Sequence, residues 1–119
     1  MPNFEAWQVV KVPFPYTDRP VRQRRPVVVI GAVQPVAGHD MLWVLMITSA
    51  DNRSWTSDVA VSDLGMAGLP SPSVVRVAKI ATIEAREAEA IGVLPIADRI
   101  VVLENVLAGL PTNVGTVNV

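Results

Sequence analysis

Four arginines fall within seven residues, Arg19, Arg22, Arg24 and Arg25, with no acidic residue between them. Such a cluster makes a local anion site in a chain whose formal net charge is only −1. Arg25 is distinguished from the others by its C-terminal neighbours. Pro26 disfavours a helical conformation at the residue before it, and Val27-Val28-Val29-Ile30 is a β-branched run suited to a strand buried on both faces. A guanidinium there stands on a rigid strand start and offers parallel donors to a phosphate or carboxylate. Taken alone, the cluster fits a solvated loop or a surface ion-pair network equally well.

Other residues could join such a site. Thr48 and Ser49 end an apolar run, where hydroxyl residues commonly close turns but can also donate to a phosphate oxygen. Arg76 lies between Val75 and Val77 and points to the face opposite theirs, either to cover an exposed sheet face or to reach an anion. In the polar stretch Asn52-Arg53-Ser54-Trp55-Thr56, Trp55 can stack on an unpaired base or anchor a subunit interface. The single histidine, His39, sits beside Gly38 and Asp40 and reads as a solvated turn residue. With no cysteine, zinc-thiolate sites and cysteine nucleophiles are excluded, and no metal or other cofactor is expected.

Prolines, glycines and hydrophobic period set the framework that carries these groups. Trp7 to Val12 reads as a first strand, halted by Pro13-Phe14-Pro15. The arginine loop leads to a second strand from Val27 to Val33, a connection over Pro35 to Asp40, and a third strand from Met41 to Thr48 in which Trp43 is assigned to the core. Asp58 to Val61 is a short strand, Ser62-Asp63 caps one helical turn before Gly65 and Gly68, and Ser73 to Ile83 is a long strand. Glu84 to Glu89 has helical propensity, and Ile91-Gly92-Val93-Leu94 is a closing edge strand. Beyond Pro95 the period changes: Ile96, Ile100, Leu103, Leu107 and Leu110 predict one helix face packed on the sheet, ending at Gly109. Val101, Val102 and Val106 lie off that stripe and suggest a second covered side. The predicted fold is mainly β: a small, strongly curved antiparallel sheet with one C-terminal helix. Residues 1–110 form a single domain and 111–119 a loose tail.

Composition bounds the rest. At 119 residues, half of them hydrophobic and 18% charged, the chain has more apolar surface than a small monomer needs, which predicts a dimer. The longest apolar run, Met41 to Ile47, is too short to cross a bilayer, and Glu5 stands where a signal peptide would be basic. A cytoplasmic protein without membrane attachment is expected. Basic residues gather before Pro26 and acidic ones between Glu84 and Glu104, so a polyanion would be met by the first part of the chain.

These residues, in this order, resemble the MazF/PemK family of bacterial toxin endoribonucleases. The resemblance is carried by Val9-Val10-Lys11-Val12-Pro13-Phe14-Pro15-Tyr16-Thr17-Asp18, Arg24-Arg25-Pro26-Val27-Val28-Val29-Ile30, Ile47-Thr48-Ser49, Gly68-Leu69-Pro70-Ser71-Pro72-Ser73-Val74-Val75-Arg76, Thr82-Ile83-Glu84 and Ile91-Gly92-Val93-Leu94 before a terminal helix. It implies a dimeric SH3-like barrel that cleaves single-stranded RNA without a metal, by attack of a ribose 2′-hydroxyl on the adjacent phosphorus. It also implies inhibition by a cognate antitoxin whose C-terminal segment occupies the RNA groove. Carried over to this sequence, Arg25, Thr48 and Ser49 are the expected catalytic residues and Arg76 a further one. Arg19, Arg22, Arg24, Arg53 and Trp55 are expected to bind RNA. Departures are Ala78 and Ala81, where some relatives carry aspartate and arginine, and Trp7-Gln8 in place of the usual Gly-Asp. The arginine loop holds no histidine, which leaves the proton acceptor unassigned. Gyrase-poisoning toxins share this fold, and an inactive RNA- or antitoxin-binding homologue is a further alternative.

Overall fold

In the computed structural model, residues 4–13 and 24–110 are described. Six strands form one antiparallel sheet: β1 (Gln8–Pro13), β2 (Arg24–Val36), β3 (His39–Ser49), β4 (Asp58–Ala60), β5 (Ser73–Glu84) and β6 (Glu89–Val93). Their spatial order is β4-β5-β3-β2-β1-β6. A helical turn, α1 (Leu64–Ala67), follows β4, a 3₁₀ turn (Ala85–Glu87) joins β5 to β6, and α2 (Ile96–Ala108) ends the described chain. The domain expected over 1–110 is described only for these residues, and the tail expected over 111–119 lies outside them.

Alternation along the central strands explains why the sheet is buried on both sides. Val9, Val28, Leu45 and Ile47 meet Val75, Leu94 and Val102 in one core. Their sequence neighbours Val10, Val12, Val27, Val29, Val44 and Met46 form a second core on the other face. The sheet curls because α1, directly after β4, packs on β6 at the opposite edge. Asp63 starts α1 by accepting from the Met66 N–H, and Gly68 ends it at φ 71°. Both Gly68 and Gly92 lie where an added Cβ would run into backbone, Ile91 carbonyl for the first and Ala67 for the second, so only glycines permit this closure.

Trp7 adopts φ 76°. Its N–H donates to Val29 O at 2.6 Å and its carbonyl accepts from Leu94 N–H at 2.8 Å, so the backbone holds this left-handed conformation while the indole packs on the first core. Side chains with a Cβ are strained there by about 1 kcal/mol. Trp7→Gly is therefore expected to be more stable than Trp7→Ala by about 1 kcal/mol, as read from urea midpoints, the reverse of the usual order.

Two expectations are corrected. The stripe Ile96, Ile100, Leu103, Leu107 and Leu110 does not pack on the sheet: it faces outward, with Ile96 70% and Leu107 60% exposed. The helix buries Asp98 and Val102 instead, with Val106 packed against the same core. Asp98 fixes this rotation, accepting from the Ser62 N–H at 2.8 Å and its hydroxyl at 3.1 Å, and Arg99 Nε donates to Leu94 O at 2.7 Å. A buried carboxylate must keep its hydrogen bonds, so polar anchors outrank the longer apolar stripe. Trp43, assigned to the core, is half exposed. It alternates with the buried Leu42 and Val44 and so lies on the face of Leu45. Among the described residues no helix is long and apolar enough to cross a membrane.

Candidate active site

Arg25 and Thr48 come together through strand register. Val27 pairs with Met46 and Val28 with Leu45, so continuing the β2–β3 ladder by two residues sets Arg25 across from Thr48. They share a face, because Val27 and Met46, two positions inward on each strand, both belong to the second core. At this end of the sheet a cavity of about 270 Å³ is walled by Arg24, Arg25, Thr48, Ser49 and Lys11 on the polar side. Pro26, Ile47, Gly68, Leu69 and Ile91 are among its apolar wall.

Arg25 is half-buried, and its Nε is fully buried with no hydrogen-bond partner among the described residues. An orphaned donor on a cation costs about 1–3 kcal/mol or more. Thr48 is only 4% exposed, and its Oγ1 accepts from Asn52 Nδ2 at 2.6 Å. Ser49 Oγ accepts from the Asp51 N–H at 3.2 Å. Arg24 closes the rim, donating to Lys11 O at 3.1 Å and Glu87 O at 3.3 Å, with Glu89 at 3.7 Å. No carboxylate or imidazole lines the described wall. Among the described residues no three His, Asp or Glu side chains gather as a metal-ligand set.

Arg76 is committed elsewhere. Directly across from Asp58 on β4, it donates from Nε at 3.2 Å and from a terminal nitrogen at 3.0 Å to the Asp58 carboxylate, and at 2.6 Å to Arg53 O. Its guanidinium lies 4.3 Å from the centroid of the Trp55 ring. Both charged side chains are nearly buried. Burial pushes the Asp58 carboxyl up, but hydrogen bonds from Arg76 and the Trp55 N–H, with the guanidinium charge, outweigh it and hold the group below its ordinary value. Arg76 does not line the Arg25 cavity. Together with Trp55's neighbours Arg53, Ser54, Thr56 and Ser57, Ala78 lines a second, open cavity of about 440 Å³. The loop between β3 and β4 is thus clamped onto this face at Thr48 by Asn52 and at Arg76 by Arg53 and Trp55.

Of the residues predicted from sequence, Arg24, Arg25, Thr48 and Ser49 share one cavity. Arg53 and Trp55 share the other, and Arg76 lies beneath Trp55. Arg19 and Arg22 lie outside the described residues. Sequence reasoning passed over two participants. Lys11 carried a signal: a lone lysine in the strand Val9-Val10-Lys11-Val12 must project out of the core, and β1 pairs it with Pro26, beside Arg25. Asn52 carried none, since only the loop's return onto β3 brings it to Thr48.

Residues 5–109 match a family model described as PemK-like, MazF-like toxin of type II toxin–antitoxin system. No curated protein matches the chain. Among solved structures, the chain is similar to the Mycobacterium tuberculosis toxin MazF-mt6, at 20% identity and a TM-score of 0.61, covering 83% of this chain and 91% of that one. A MazE–MazF structure from Deinococcus radiodurans has 20% identity and a TM-score of 0.62, with 90% and 96% covered. A mycobacterial endoribonuclease in complex with its cognate antitoxin has 16% identity and a TM-score of 0.64, with 89% and 95% covered. At these identities the likeness is one of fold.

Proposed function

Since the chain belongs to the PemK-like, MazF-like toxins of type II toxin–antitoxin systems, we propose that its Arg25 cavity cleaves single-stranded RNA. The observation that carries this reading is that strand register sets Arg25 across from Thr48 on one face of the sheet, at the mouth of a cavity lined also by Lys11, Arg24 and Ser49. In the proposed reaction the ribose 2′-oxygen bonds to the adjacent phosphorus as the bond to the 5′-oxygen breaks, leaving a cyclic phosphate and a 5′-hydroxyl. Negative charge grows on the phosphoryl oxygens as this happens. The Arg25 guanidinium and the Thr48 hydroxyl, set on one sheet face, stabilise the transition state more than the substrate by donating to those oxygens. Lys11 and Arg24 draw in the flanking phosphates. With no carboxylate or imidazole on the described wall, the site works chiefly by charge stabilisation: water takes the 2′-proton and supplies the proton that the leaving 5′-oxygen gains.

Trp55, kept flat by Arg76 and 43% exposed, serves as a stacking face for a neighbouring base, with Arg53 beside it. Arg76 in this reading supports the platform and is not at the chemistry. The protein acts in the cytoplasm on RNA. A cognate antitoxin inhibits it, as the solved complexes of similar proteins with antitoxins suggest.

The exposed stripe of α2 serves a homodimer. Ile96, Ile100, Leu103 and Leu107 form an apolar band too extensive for an isolated helix surface, and Trp43 and Ile80 add uncovered apolar area on the sheet. Ile100→Asp is expected to convert a dimer into a monomer in sedimentation equilibrium, with helix content retained; an unchanged dimer would place the interface elsewhere.

The reading is tested by incubating the purified protein with end-labelled single-stranded RNA in EDTA and identifying the new termini. Cyclic phosphate and 5′-hydroxyl ends are expected. Absence of cleavage across RNAs of varied sequence would leave a binding role for the cavity and end the nuclease assignment.

A further inference from the structure

Thr48 does not stand alone in its cavity. Asn52, exposed in the loop after β3, returns to donate from Nδ2 to Thr48 Oγ1 at 2.6 Å, and the threonine is 4% exposed. The loop that brings it there is itself pinned. The Asn52 N–H donates to Ser49 O at 3.1 Å, the Ala50 N–H to Pro72 O at 3.0 Å, and the Asp51 N–H to Ser49 Oγ at 3.2 Å. A hydroxyl carries one proton and two lone pairs. Here each hydroxyl oxygen receives a donor from the loop, while neither proton has an acceptor among the described residues. Among the described residues, the Thr48 proton is thus left without a competing acceptor.

We propose that Asn52 is a positioning residue: by donating to Thr48 Oγ1 it leaves the threonine O–H to act as a donor to a phosphoryl oxygen held by Arg25, which shares its sheet face. The result is a one-way donor on the sheet face of Arg25, selective for an anion over any ligand that must itself donate. This inference rests on the cleavage reading above and adds to it the residue that sets the polarity of the site.

Aspartate at position 52 has the shape of asparagine but only accepts, so Asn52→Asp would draw the Thr48 proton away from the cavity. A new negative charge near RNA would by itself slow cleavage, and a double-mutant cycle separates the two effects. Wild type, Asn52→Asp, Asn52→Ala, Thr48→Val and the Thr48→Val/Asn52→Asp double variant are compared in single-turnover RNA cleavage. Binding of inorganic phosphate, followed by NMR titration, is a second readout, and thermal melts exclude unfolding. Asn52→Asp is expected to slow cleavage about 10²-fold, comparable to losing one donor to a developing oxyanion. It should also weaken phosphate binding, with both effects largely absent in the Thr48→Val background. Asn52→Ala is expected to fall between wild type and Asn52→Asp. Near wild-type cleavage and phosphate binding by Asn52→Asp, or equal losses with and without the Thr48 hydroxyl, would overturn the proposal. If wild type cleaves no RNA but the phosphate cycle shows the coupling, the positioning role stands and the nuclease reading alone fails.

Discussion

Arg25→Ala is expected to slow RNA cleavage by about 10²–10³-fold while leaving the protein as stable as wild type or slightly more so. The two halves of this result have one cause. The Arg25 guanidinium is not hydrogen-bonded within the described residues, and its Nε is buried there without an acceptor, which costs the folded protein stability. Removing it takes away the charge proposed to meet the phosphoryl oxygens and also an unsatisfied buried group, the latter a gain of up to about 1 kcal/mol. Arg25→Lys should recover little of the rate, because an ammonium is a point charge and cannot supply two parallel donors. Single-turnover cleavage and urea midpoints on the same preparations give both readings. Cleavage that survives the alanine substitution would remove Arg25 from the chemistry, and a marked loss of stability would show that its side chain supports the fold.

A comparably large effect, on stability, is expected at the Arg76–Asp58 pair. Asp58→Ala leaves a nearly buried guanidinium without its carboxylate, a change that costs about 3–5 kcal/mol when one partner of a buried pair is removed. It also frees Trp55, whose ring rests on that guanidinium. Because the Asp58 carboxyl titrates lower in the folded chain than in the unfolded one, the pair's contribution is fully present above the unfolded value, about 3.9. It declines as the pH falls through the folded value. Chemical denaturation of wild type should therefore lose stability below about pH 4, and Asp58→Asn, already weaker at neutral pH, should lose less over the same interval. Parallel pH profiles for the two proteins would show that other carboxylates govern the acid limb. Arg76→Ala should damage stability through the same pair.

The reassignment of Arg76 shows where local pattern stops. Alternation correctly places it on the face opposite Val75 and Val77, and the family resemblance suggests chemistry there. What it touches depends on the β4–β5 pairing, which sets Asp58 directly opposite, and on a loop that folds back to bring Arg53 and Trp55 over it. These are contacts between residues distant in the chain, and no local pattern encodes them. The role of Asn52 is hidden for the same reason, whereas Lys11 is visible to the alternation rule and needs only its strand partner to be located.

The helix gives the clearest division between the two sources. A period of three and four residues after Pro95 specifies an amphipathic helix, and β-branched runs between Pro and Gly specify the strands, because those signals arise from geometry within a few residues. Which side of α2 meets the sheet could not follow from periodicity, since apolar residues occur on both sides of it. Tertiary contacts settle it through Asp98 on Ser62 and Arg99 on Leu94 O, hydrogen bonds that must be made wherever a polar group is buried. The order of residues suffices for a curved β domain with a terminal helix and an arginine at a strand mouth. Register and loop return make Arg25 and Thr48 share a cavity and set Arg76 beneath Trp55, because burial and hydrogen-bond partnership are properties of segments meeting in space.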